Sequence, residues 1–80
     1  MLSELKAGPK VAGVKQTQRA ISDGKVRLVF LAEDADPRIT EPVASLCKEK
    51  GVPVEHVSGM KELGSACGIA VGSAVAALLM

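Results

Sequence analysis

Seven residues, Gly13-Val14-Lys15-Gln16-Thr17-Gln18-Arg19, have the types and spacing to grip a polyanion. Gly13 falls where a short apolar run, Lys10 to Val14, gives way to a helical pattern. A residue without Cβ at that junction lets a partner come close to the backbone. The amides that open a helix lack intrahelical acceptors and favour phosphate. Lys15 and Arg19 are four positions apart and share a helix face. Lysine and arginine match the O6 and N7 acceptors of guanine, and the Gln16 amide both donates and accepts at a base edge. A helix end set into a nucleic-acid groove needs this chemistry. A polar first turn on a surface helix uses the same residue types, and spacing alone leaves the two readings level. A small α/β domain holding a nucleotide or other anion at the Gly13 helix start is a further use of the same segment.

The remaining polar groups point away from catalysis. Asp34 and Asp36 could pair to hold a metal or move a proton. Asp36-Pro37 is better explained as a helix N-cap followed by proline at the first helical position, with Asp34 in the preceding loop. Lys61 is placed either to reach a phosphate or to face solvent from a helix. His56 has no evident catalytic partner. Cys47 and Cys67 are 20 positions apart with a single histidine in the chain, so no zinc site is expected. Both cysteines sit among apolar residues and are expected to be reduced, as in a cytoplasmic protein. There is no Ser/His/Asp or Cys/His set and no Walker-type phosphate loop. At 80 residues there is also little room for an enclosed pocket. The expectation is a binding protein, not an enzyme, with no cofactor and no metal.

These groups must be positioned by short elements. Ser3 to Lys6 suggests a helix turn, and Lys10 to Val14 a brief strand. Lys15 to Ser22 is predicted as a helix with Thr17, Ala20 and Ile21 inward, ended by Asp23-Gly24. Val26 to Ala32 (VRLVFLA) is apolar nearly throughout, as in a central strand covered on both faces. Ile39, Val43, Leu46 and Cys47 repeat at helical spacing up to Lys50, with Pro42 predicted to break or restart the helix and Gly51 to close it. A strand over Val52 to Val57, a helix over Lys61 to Cys67, a loop over Gly68 to Gly72 and a strand over Ser73 to Leu79 complete the chain. Such alternation implies a sheet with helices on both faces.

Composition sets the outer bounds. One domain, residues 1–80, is expected at this length. Apolar residues make up 48%, but Phe30 is the only aromatic, which argues against stacking bases on aromatic platforms. The net charge of +1 divides into +4 over residues 1–27 and −3 over the rest. That asymmetry hints at a polyanionic partner, although uneven surface charge accounts for it equally simply. Residues 63–80 carry no charge, a length at the threshold for a membrane span. Small residues dominate its first half and no basic anchor follows, so a helix end, a glycine loop and a buried strand fit better. No membrane partner and no secretory signal are expected.

Several segments together resemble one family. GVKQTQRAI, LAEDADP (residues 31–37), LCKEKGVPV (46–54) and MKELGSACGIAVGSAVAALL (60–79) occur in the order seen in the archaeal-type kink-turn-binding ribosomal proteins. They are most similar to the bacterial YbxF/YlxQ branch of these L7Ae/L30e-like proteins. The resemblance implies a three-layer α/β/α sandwich around a four-stranded mixed sheet. It also implies a monomeric, cytoplasmic protein whose partner is structured RNA, the kink-turn with tandem sheared G·A pairs, and by extension the ribosome. Carried over by position, Gly13 contacts the backbone, Lys15 and Gln16 read the G·A guanines, and Arg19 takes the basic position one turn on. The Asp36-Pro37 corner and the Ile69-Ala70-Val71 loop would receive the flipped-out nucleotide. Lys15-Gln16 stand where archaeal and eukaryotic members usually carry Asn-Glu, and Ala70 stands where many carry an acidic residue.

Overall fold

The computed structural model describes residues 8–68 and 72–80. The expected Ser3–Lys6 turn lies outside them. Strand β1 (Lys10–Ala12) leads into helix α1 (Val14–Ser22), and β2 (Val26–Ala32) into α2 (Pro37–Lys50). Then come β3 (Val54–Val57), α3 (Met60–Ala66) and β4 (Val75–Leu79). The charge-free stretch from Leu63 onward thus contains the end of a helix and a strand. No helix among the described residues is long and apolar enough to cross a membrane.

The strands form one mixed sheet in the order β1-β4-β2-β3. β4 is antiparallel to both β1 and β2, whereas β2 and β3 are parallel. Alternation along β2 divides the core. Val29 and Leu31 pack with Ile21, Val43, Cys47, Val75 and Ala77 beneath α1 and α2. Phe30 and Ala32 pack with Leu63, Ala66, Ala76 and Leu78 beneath α3. The result is the expected α/β/α arrangement of three layers.

Val26 departs from simple alternation. It belongs with Val29 on the α1/α2 side although three positions separate them. The cause is a register shift: Val26 faces Leu79 and Leu28 faces Leu78, so Arg27 is an extra residue on β2. One inserted residue reverses the side-chain phase of the strand.

Pro42 does not break α2, which runs unbroken from Pro37 to Lys50. The expected break is corrected by position and packing. Proline at this point removes only the bond its own N–H would make to the Arg38 carbonyl, one turn from the helix start, where solvent is close. Val43 and Cys47, both 0% exposed, hold the helix on the sheet and offset the loss. At the far end Gly51 adopts φ 72°, ψ 28°, and the Val52 amide bonds the Cys47 carbonyl at 2.8 Å, a left-handed glycine stop. Smaller shifts concern ends: β3 begins at Val54, two residues later than expected, and β4 at Val75. Pro53 has no N–H for a ladder, though its carbonyl still accepts from Val29 at 3.0 Å.

Candidate nucleic-acid interface

Because β1, β2 and β3 run in one direction, the three described helices start at the same edge of the sheet, the carboxyl ends of these strands. In open α/β sheets this edge is where ligands bind. α1 and α2 lie on one face and run parallel, so their N-terminal dipole ends sit side by side; α3 starts at the same edge from the other face.

Gly13 is the pivot between β1 and α1. Its φ of 100° and ψ of 153° lie in a region that side-chain-bearing residues rarely occupy. That conformation lets the Gly13 amide donate to the Val75 carbonyl at 2.9 Å while its own carbonyl accepts from the Thr17 amide at 3.0 Å. No side chain among the described residues caps α1, so the first-turn amides face outward without a capping acceptor there. Lys15, Gln16 and Arg19 are exposed, whereas Thr17, Ala20 and Ile21 are buried. The inward set matches expectation, and the three polar candidates share the solvent side of a single short helix.

The second part of the edge is held together by bonds that cross between loops. Asp34 is not a spare loop carboxylate: its Oδ1 accepts from the Met60 amide at 2.8 Å and so caps α3 from 26 residues away. The Met60 carbonyl in turn accepts from the Ser73 amide at 3.0 Å. Gly72 is pressed against the same residue. A Cβ there would stand 3.1 Å from the Met60 Cβ and 3.2 Å from its carbonyl carbon and oxygen, so any side chain requires Met60 to give way by a few tenths of an ångström. Asp34, Met60 and Gly72 thereby tie the β2–α2 loop, the head of α3 and the lead into β4 to one another. Lys61 is exposed at the head of α3. Ile69, Ala70 and Val71 lie outside the described residues; Gly72, which follows them, stands against Met60 at this edge of the sheet. An open groove runs past Gly13 and Gln16 to Gly72 and Ser73, with Lys10 and Cys67 on its wall.

Asp36 is the N-cap of α2, with Pro37 exposed at the first helical position. Its Oδ1 accepts from the Arg38 amide at 2.9 Å, and its carboxylate pairs with the Arg38 guanidinium at 2.7 Å. These bonds hold the Asp36 carboxyl below the usual range, the side-chain contact first and the backbone amide second. The sequence reading passed over Arg38. The signal was local: an arginine two positions after a capping aspartate can fold back onto it.

Nothing among the described residues assembles a nucleophile. Burial pushes both thiols up, Cys47 in the core and Cys67 on the groove wall, where the Lys10 charge opposes the shift only in part. Both are free, and neither is a thiolate at neutral pH. Among the described residues no group of three or more His, Cys, Asp or Glu is placed to hold a metal ion.

Comparison with known proteins places this geometry. The profile of the ribosomal protein L7Ae/L30e/S12e/Gadd45 family matches residues 3–79. An RNA-binding protein of Geobacillus sp. (strain WCH70) is 51% identical over 75 residues, covering 94% of this chain and 92% of that protein. The RNA-binding protein YbxF of Geobacillus stearothermophilus is 49% identical over the same shares of both chains. Among solved structures, the Giardia lamblia 15.5kD RNA binding protein superposes with a TM-score of 0.92 at 31% identity, covering 99% of this chain and 70% of that one.

Proposed function

The chain belongs to the ribosomal protein L7Ae/L30e/S12e/Gadd45 family, and from that membership we propose that it binds RNA at kink-turns through the edge where its helices begin. It is an RNA-binding protein and not an enzyme, in keeping with relatives named for RNA binding over nearly their whole length.

The observation that carries the finer reading is the start of α1. An uncapped row of amides, opened by a glycine in a glycine-only conformation, stands beside exposed Lys15, Gln16 and Arg19. Regular A-form RNA buries its guanine edges in a deep, narrow major groove. A sharp kink with sheared G·A pairs opens that groove to a helix end. Lys15 and Gln16 would meet guanine edges, Arg19 the next base or phosphate, and the Gly13 backbone a phosphate. Pro37 and the Ile69-Ala70-Val71 loop would border the nucleotide that leaves the stack, with Asp36 beside them, and Lys61 would reach a phosphate. A cytoplasmic monomer on structured RNA, the ribosome included, is the corresponding biological setting.

The test is binding, at one fixed salt concentration, to a kink-turn RNA and to the same RNA with its G·A pairs changed to Watson–Crick pairs. A preference of about tenfold or more for the kinked RNA is expected, since each good base contact contributes about 1–3 kcal/mol. Equal affinity would overturn the kink-turn reading and leave only basic attraction. The uncapped helix start also suits a small anion, and displacement of the RNA by low millimolar inorganic phosphate would favour that use instead.

A further inference from the structure

Arg38, at the head of α2, is 90% exposed by side-chain area and yet held in one place. Its Nε donates to both Asp36 oxygens, at 3.2 and 3.1 Å, and its Nη2 donates to Oδ2 at 2.7 Å. Two things follow from this side-on grip. The Asp36 carboxylate has its charge compensated and both oxygens engaged, so it is poorly placed to meet a ligand of its own. The guanidinium keeps its outer edge, Nη1 and the second Nη2 hydrogen, free of partners among the described residues. That planar two-donor edge matches a phosphate, and the Asp36 contact favours a side-chain position that presents it.

The position matters as much as the chemistry. α1 and α2 run parallel on one face and begin at one edge of the sheet. The Ala74-Val75 backbone joins their two strands there, with the Val75 carbonyl on the Gly13 amide at 2.9 Å and the Ala74 carbonyl on the Ala32 amide at 3.0 Å. Arg38 therefore stands on the same edge as Gly13, Lys15 and Gln16, beside a second helix N-terminus.

We propose that Arg38 clamps a backbone phosphate of the RNA seated on this edge, and that Asp36 is a positioning residue which aims the guanidinium rather than an RNA contact. The inference rests on the RNA reading above. It assigns Arg38 to phosphate recognition and leaves the reading of the G·A pairs to α1.

The experiment measures affinity for the kink-turn RNA across a salt series for the wild type, Arg38→Ala, Arg38→Lys, Asp36→Asn and Lys48→Ala. Lys48 is an exposed cation in the last turn of α2, far from the edge, and controls for net charge. Asparagine also caps helices well, so Asp36→Asn keeps the helix start. Arg38→Ala should weaken binding roughly three- to tenfold near 0.1 M salt and lower the log–log salt slope by about 0.7–0.9, the loss of one phosphate contact. Arg38→Lys should keep the slope but lose affinity. Asp36→Asn should weaken binding even though it removes a negative charge, whereas an account based on charge alone requires it to bind more tightly. If Arg38→Ala matches Lys48→Ala in affinity and slope, or Asp36→Asn tightens binding, the clamp is refuted. Those outcomes, with the wild type still preferring kinked RNA, sink this inference alone; a wild type without that preference sinks the kink-turn reading, while the Arg38 and Asp36 comparisons on either RNA still decide the clamp.

Discussion

Replacing Gly13 with alanine perturbs the start of α1 without crowding it. A Cβ at this position meets only the Gln16 Oε1, at 3.6 Å, an ordinary contact. The cost therefore comes from the backbone: φ 100°, ψ 153° is a glycine region, and forcing alanine into it costs about 1–3 kcal/mol. Alanine recovers part of that by stiffening the unfolded chain, by about 0.4–1 kcal/mol. A net loss of about 1–2 kcal/mol lowers the melting temperature of a domain this size by roughly 5–15 °C. The alternative to strain is rotation to negative φ, which swings the Gly13 amide off the Val75 carbonyl and re-aims the first-turn amides of α1. Either way, RNA affinity should fall along with stability. Gly51→Ala is the matched control: φ is 72°, nothing lies within 4 Å, and the residue ends α2 at the opposite edge of the sheet. It should lose about 1 kcal/mol, the usual left-handed penalty, and keep its RNA affinity. Urea unfolding followed by circular dichroism, with anisotropy titration of labelled RNA, gives both quantities for both variants. Wild-type stability and affinity in Gly13→Ala, with Gly51→Ala destabilised as expected, would refute the reasoning.

Gly72→Ala should destabilise for the opposite reason, a Cβ forced to within 3.2 Å of the Met60 backbone, with a loss of about 1–3 kcal/mol in denaturant unfolding. Thr17 is fully buried and its Oγ1 has no partner among the described residues, so Thr17→Val, equal in shape, should raise stability by about 1 kcal/mol; a loss of that size would reveal a partner for the hydroxyl. The Asp36 carboxyl titrates below its ordinary range because of Arg38, so its contribution is complete above that range and disappears as the pH falls through its lowered value. The stability difference between wild type and Asp36→Asn should therefore be flat from neutral pH to about pH 5 and shrink towards pH 2 in acid-unfolding curves. A difference that grows with acid would contradict the Asp36–Arg38 assignment.

Much of the fold was legible because local chemistry and tertiary packing agree. The β-branched run over Val26–Ala32, the Asp36-Pro37 start and the Gly24 and Gly51 stops each carry their own physical signature, and the structure places elements at all of them. The inward face of α1 was legible for the same reason. What stayed hidden depends on partners distant in sequence. Nothing near Asp34 announces that it caps a helix 26 residues on, and the glycine at position 72 is favoured by the closeness of Met60, not by its own torsions. The inserted Arg27 shows only in the pairing of β2 with β4. Pro42 misled because propensity predicts the cost of a proline but not the packing that outweighs it. In the candidate site, Gly13, Lys15, Gln16, Arg19 and Lys61 could be read from residue type and position, whereas Pro37 and residues 69–71 entered through family resemblance, and Arg38 emerged only once its guanidinium was seen on Asp36.

The account's central claim is that the exposed head of α1 reads G·A pairs, and a double-mutant cycle between protein and RNA tests it most directly. Affinities are measured for the wild type and Lys15→Ala, each on the kink-turn RNA and on the RNA with Watson–Crick replacements. A coupling of about 1–3 kcal/mol is predicted, with Lys15→Ala weakening binding to the kinked RNA and barely affecting the other. An equal loss on both RNAs would make Lys15 a phosphate contact and contradict base reading by this helix.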